Sequence, residues 1–239
     1  MKALAPLLYV LVLAGCVVPV DPLPAPQPGP AVALAPSGNR VTPDQAARNF
    51  VTAIGAVEPM AERICRERTR GVSCDFRIVV DDRRNQPANA FQMLGEDGRP
   101  VLGFTLGLIA EAQNVDEIAF VIGHEAAHHI LGHIPQVQRS ASQGALLAGI
   151  LVAAGGGGAG AVRSAQELGA TVGARRFSKE FELQADALGA EITERAGYSA
   201  LRGAEFFNRI PDPGNQFLGT HPPNAERMAV VRRAVAGLR

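Results

Sequence analysis

An excess of charge of either sign is missing from this sequence: 23 Lys and Arg are matched by 23 Asp and Glu, a formal net charge of zero. A balanced chain carries no electrostatic footprint for nucleic acid, so no nucleic-acid partner is expected. Lysine itself is nearly absent, with only Lys2 and Lys179, which reads as codon bias rather than a functional signal. The cluster Arg63, Arg66, Arg68 and Arg70 is interrupted by Glu67 and preceded by Glu62, as on a solvated helix face. Cysteine is limited to Cys16, Cys65 and Cys74. Cys65 and Cys74 lack the close paired spacing of structural zinc sites, which disfavours a thiolate centre. Long apolar runs are scarce too. Residues 144–162 are uncharged and long enough to span a bilayer, but Gly155-Gly156-Gly157-Gly158 make a poor helix, so a mobile flap or insertion over a cleft is expected there. The several spans that an integral membrane enzyme needs are not available, and no repeat module is visible.

What is present begins with a targeting segment. Met1-Lys2 supplies a short positive region, and Leu7-Leu8-Tyr9-Val10-Leu11-Val12-Leu13 an apolar core too short to cross a bilayer well. Leu13-Ala14-Gly15-Cys16 resembles the lipobox of bacterial lipoproteins, which implies cleavage after Gly15 and lipidation of Cys16. Val17 in place of an acidic residue favours, by the same analogy, delivery to the outer membrane. Residues 17–40 then hold seven of the 17 prolines, a polyproline-like tether. The expected organisation is a signal peptide over 1–15, a lipidated Cys16 and tether over 16–40, and a folded domain over 41–239. In an oxidising periplasm the remaining pair, Cys65 and Cys74, is expected to form a disulfide closing a small loop.

Within the domain, Thr42 and Pro43 read as the cap and first residue of a helix reaching about Arg68, with a break near Glu58-Pro59. Phe76-Arg77-Ile78-Val79-Val80 has strand composition, and residues 90–94 and 99–104 flank a turn at Gly95-Glu96-Asp97-Gly98 as in a hairpin. Pro100 has no N–H to donate, so the second hairpin strand is expected at a sheet edge, where an extended peptide could add as a strand. A buried helix follows, capped by Asn114 with Glu117 three positions on, and Pro135 is expected to end it near Ile134. Further helices are expected over about 179–196, 199–209 and from Asn224 onward, with a Pro-rich loop over 211–223.

The central helix carries His124-Glu125-Ala126-Ala127-His128, an H-E-x-x-H pattern. Residues four apart project from one helical face about 40° apart, so His124 and His128 form a chelating pair with Glu125 beside it. A catalytic zinc needs a third protein ligand and one open position. On a continuous helix His129 and His133 lie about 140° and about 180° round from His124, so both point away. The Gly and His spacing of metzincins is also absent, since Gly132 and His133 fall at the wrong positions. A carboxylate from another helix is the remaining solution, and Glu182 and Asp186 share a face 54 residues beyond His128.

These motifs, with Asn89-Ala90-Phe91, Gly197-Tyr198, His221-Pro222 and Arg227, resemble the family-forty-eight zinc metallopeptidases, the group of HtpX, BepA and the type-one CAAX prenyl proteases, in a bacterial lipoprotein form. The resemblance covers most of residues 75–230. It implies an α+β, mainly α-helical, zincin-type (gluzincin) single domain with a small β-sheet or hairpin and an H-E-x-x-H active-site helix. It further implies one Zn2+ held by His124, His128 and Glu182, with Asp186 orienting a ligand histidine and Glu125 as the base. His221 is a candidate fourth ligand or oxyanion stabiliser, and Arg227 either stabilises transition-state charge or holds the His221 loop. Tyr198, in a helix-connecting turn, is a poor oxyanion donor. The expected function is a zinc endopeptidase of the cell envelope that hydrolyses misfolded or misassembled envelope proteins through a Glu-activated zinc-bound water. The expected partners are those unfolded substrates and, through the lipid on Cys16, the membrane. The alternative is a lipoprotein chaperone or assembly factor with a latent site.

Overall fold

A computed structural model describes residues 41–175, 178–209 and 222–238. The first helix, α1 (Pro43–Arg68), starts where Thr42 Oγ1 accepts the Gln45 N–H at 3.2 Å and Pro43 occupies the first turn. It runs through Pro59 without a break. Its buried stripe, Phe50, Ala53, Val57, Ala61 and Ile64, recurs at helical spacing and faces the core. Cys65, at its end, is joined to Cys74 by a disulfide with a Cα–Cα distance of 5.7 Å.

Three strands follow: β1 (Arg77–Asp81), β2 (Ala90–Leu94) and β3 (Pro100–Thr105). The order is β1-β3-β2, with β3 parallel to β1 and antiparallel to β2. The expectation of an edge position for the Pro100 strand is therefore corrected: β3 is central and buried along its whole length. Proline is tolerated because it is the first residue of the strand, where a missing donor interrupts no ladder. The edges are β1 and β2.

After α2 (Leu106–Glu111) comes α3 (Val115–Ile130), the helix with the H-E-x-x-H pattern. Asn114 Oδ1 accepts the Glu117 N–H at 3.1 Å, Glu117 accepts the Gln113 N–H at 2.8 Å, and Arg209 donates to Glu117 from both guanidinium nitrogens. This helix is shorter than Pro135 alone suggests. It stops before Gly132, which takes φ +66°, and α4 (His133–Ala154) starts in a new direction at once. Pro135 lies in the first turn of α4, where its absent N–H would have had no partner in any case.

The segment expected as a mobile flap or insertion folds as a helical hairpin, α4 with α5 (Ala159–Arg175), with Gly155–Gly158 in the turn between them. A Cβ on Gly144 would meet the Gly169 carbonyl at 2.1 Å, and one on Gly173 would meet that of Ser140 at 2.1 Å, so these glycines let the two backbones touch. No helix among the described residues is long and apolar enough to cross a membrane. Helix α6 (Ser178–Arg195) packs across α3, followed by α7 (Ala200–Gly203), a 3-10 turn (Ala204–Asn208) and α8 (Asn224–Gly237). The core joins α1, α3, α6, α8 and the sheet around Phe76, Phe104, Phe120, Ile122 and Val231. The fold is thus α+β and mainly helical, with one small sheet.

Candidate metal centre

Two helices build the site, and glycines set their spacing. A Cβ on Gly123 of α3 would lie 2.8 Å from the Gly189 carbonyl of α6, and one on Gly189 would lie 2.9 Å from the backbone of His124. Only backbone fits between the helices there. The turns that follow on α3 and precede on α6 then face each other, which brings His124 and His128 opposite Glu182 and Asp186.

His124 Nε2 lies 3.1 Å from His128 Nε2 and 3.5 Å from Glu182 Oε2, and His128 Nε2 lies 3.4 Å from Glu182 Oε1. Three donors each about 2.0–2.1 Å from a tetrahedral ion would be separated by about 3.3–3.4 Å, so the spacing of the two imidazole nitrogens and the Glu182 carboxylate suits zinc in size and donor chemistry. Among the described residues no other trio of His, Cys, Asp or Glu converges in this way.

Each histidine is backed by its other nitrogen. His124 Nδ1 is 2.9 Å from Asp186 Oδ1. A carboxylate accepts only, so Nδ1 carries a hydrogen, and once the ring is neutral Nε2 presents its lone pair to the triangle. Asp186 is fully buried and receives two bonds from Arg227, Nε at 2.8 Å and a terminal nitrogen at 2.7 Å. The Arg227 guanidinium sits 3.7 Å over the Phe207 ring and 3.7 Å from Glu182 Oε2. Burial opposes the charge on Asp186, but the Arg227 charge and the bonds from His124 and Arg227 outweigh it and hold its pKa below the ordinary 3.8. Burial would also depress His124, yet its bonds to Asp186 and Glu182 raise the metal-free imidazole to about 10. Glu125 is pushed above the ordinary 4.5, by burial first and against the charges of His124, His128 and Arg227, with Glu182 adding to the rise.

His133 is not among the three converging donors, as expected, but it does not lie where a continuous helix would put it. Because the helix breaks at Gly132, the ring is turned back, with Nδ1 2.9 Å from His128 Nδ1 and Nε2 3.1 Å from Gln184 Oε1. It is buried and stacked on Phe181, centroids 4.3 Å apart and planes at 11°. Burial, then the neighbouring His128, lowers its pKa to about 4. Gly132 just past a periodic helix was the available signal for this break. His129 does point elsewhere: its Nε2 donates to the Ser73 carbonyl at 2.7 Å and its ring meets Phe76 edge-on. Tyr198 donates its hydroxyl to the Thr52 carbonyl at 3.2 Å, on the α1 side of the molecule. His221 and Cys16 lie outside the described residues.

A cleft of about 260 Å³ opens beside His128, between the loop Gly71–Ser73 and the edge strand β2 with Gln92 and Leu94. The disulfide and the His129 bond both tether that loop.

The sequence pattern of Peptidase family M48 matches residues 55–235. A Vibrio cholerae protein named as a beta-barrel assembly-enhancing protease is 31% identical over 137 residues, covering 54% of this chain and 27% of the relative. The chain thus matches little more than a quarter of that relative's length.

Proposed function

The chain belongs to peptidase family M48, a metallopeptidase family, and from that premise we propose a zinc-dependent endopeptidase of the bacterial envelope that cleaves misfolded or misassembled proteins. The observation that carries this is the convergence of His124, His128 and Glu182, with Glu125 in the next position of the same helix. Zinc held by His124, His128 and Glu182 would supply Lewis acidity and make water a competent nucleophile near neutral pH.

The protein's own groups do the rest. The Glu125 carboxylate accepts the proton of the attacking water and returns it to the leaving nitrogen. Its raised pKa suits a group that must first take and then give a proton. Asp186 fixes the His124 tautomer, and Arg227 keeps Asp186 charged while shielding the carboxylates from one another. The edge strand β2 borders the cleft and is placed to take an extended peptide as an added strand, the role expected from sequence of the Pro100 strand. Attachment to the envelope through a lipid on Cys16 is supported by Leu13-Ala14-Gly15-Cys16, by the proline-rich residues 17–40 and by the name of the Vibrio relative.

The test is zinc content and casein cleavage of the purified protein beside Glu125→Gln. Wild type should bind one zinc and cleave, and the variant should bind zinc with turnover reduced about 10²- to 10⁴-fold. Zinc without cleavage in either protein would favour an assembly factor or chaperone with a latent site. Retained cleavage by Glu125→Gln would remove Glu125 as the base.

A further inference from the structure

We propose that His133 is a positioning residue that fixes the tautomer of His128 through a hydrogen-bonded chain reaching from α4 to Glu180 and Gln184 of α6. This rests on the reading that His124, His128 and Glu182 hold zinc.

Every polarity in the chain follows from its far end. The Glu180 carboxylate can only accept, so the group 3.0 Å from its Oε1 must be the Gln184 amide N–H₂. That orientation leaves Gln184 Oε1 facing His133, and an amide oxygen only accepts, so the hydrogen of a neutral His133 is on Nε2, 3.1 Å away. His133 Nδ1 is then an acceptor. The one ring nitrogen it faces, His128 Nδ1 at 2.9 Å, must be the donor. A neutral His128 with hydrogen on Nδ1 presents the Nε2 lone pair to His124 and Glu182, the side where a metal is needed.

The arrangement mirrors that of His124 with different chemistry. His124 is backed by a buried carboxylate with its own arginine; His128 is backed by a neutral ring held flat against Phe181. A second carboxylate behind His128 would add negative charge to a pocket that already holds Glu125, Glu182 and Asp186. One seven-residue stretch of α6, Glu180–Asp186, thereby supplies the third ligand, the support for both histidines and the stacking ring.

Full-length protein can test this by zinc competition with a chelator and by ¹⁵N imidazole NMR of the zinc-loaded form. His133→Phe keeps the ring over Phe181 but removes the acceptor, and zinc affinity should fall about 10- to 100-fold. His133→Asn places Oδ1 where Nδ1 was and should restore affinity close to wild type. Gln184→Lys, on the surface, presents only donors to His133 and should weaken zinc, whereas Gln184→Glu keeps an acceptor and should not. The spectra should show hydrogen on His128 Nδ1 and His133 Nε2. Wild-type affinity in His133→Phe, or hydrogen on His133 Nδ1, would overturn the proposal. If His133→Phe does not fold, equal affinities of the two Gln184 variants would overturn it instead. A wild-type protein without zinc would overturn the site reading itself, a distinguishable outcome.

Discussion

At the scale of single residues, the metal-free pocket is set to hold protons where a metal would sit. His124, raised to about 10 by Asp186 and Glu182, is protonated at neutral pH without metal, yet a ligand imidazole must be neutral. Zinc binding near pH 7.5 should therefore expel at least one proton. Calorimetry in buffers of different ionisation enthalpy would register this as a slope, and a flat series would contradict it. Affinity should drop as pH falls, because protons and zinc compete for the same lone pair. The ligand pair and the base were legible in the sequence because H-E-x-x-H is local and helix periodicity alone places it. The bidentate hold of Arg227 on Asp186 was not, because those residues lie 41 positions apart on different helices and only tertiary packing joins them.

At the scale of elements, the separation between α3 and α6 is fixed by the Gly123 and Gly189 contact. Gly189→Val would force side-chain atoms into the backbone of His124, so the helices must part. We expect a loss of about 1–3 kcal/mol in denaturant unfolding and a weaker metal site, although no ligand is changed. Unchanged zinc affinity in a destabilised Gly189→Val would show that the site tolerates a wider gap. The same scale explains two errors of sequence reading. From sequence, Pro135 reads as the end of a helix and Pro100 as the mark of an edge strand. Both lie at the start of an element, where the backbone donor they lack is not required. Gly132 is the true stop, and the break there is what brings His133 against the outer nitrogen of His128.

At the scale of the molecule, the buried Arg227–Asp186 pair joins α8 to the helix that carries the third ligand. Arg227→Met should cost the metal-free protein about 1–3 kcal/mol at neutral pH, since it removes both guanidinium bonds from a fully buried carboxylate and leaves it His124 as a charged partner. The sign with pH follows from the depressed Asp186 pKa. Its contribution is complete above 3.8 and is lost as pH falls through the lower folded value, so the gap between variant and wild type should narrow in acid. Denaturant melts at pH 7 and near pH 3 would show a constant gap if the pair is unimportant. The fold class was legible because the helices are long and periodic, whereas the α4–α5 hairpin was hidden by its composition: Gly144, Gly169 and Gly173 serve contact between the helices, and Gly155–Gly158 form the turn that joins them.

That glycine-to-glycine seam has a colloidal consequence. Because the two helices meet through backbone, their large side chains turn outward: Leu146, Leu147, Ile150, Leu151 and Leu168 are 54–73% exposed. With a formal net charge of zero at neutral pH, the protein has little long-range repulsion to keep such surfaces apart. In detergent-free buffer, light scattering should show clustering that is worst near neutrality, and Leu147→Lys with Leu151→Lys should suppress it while leaving zinc affinity intact.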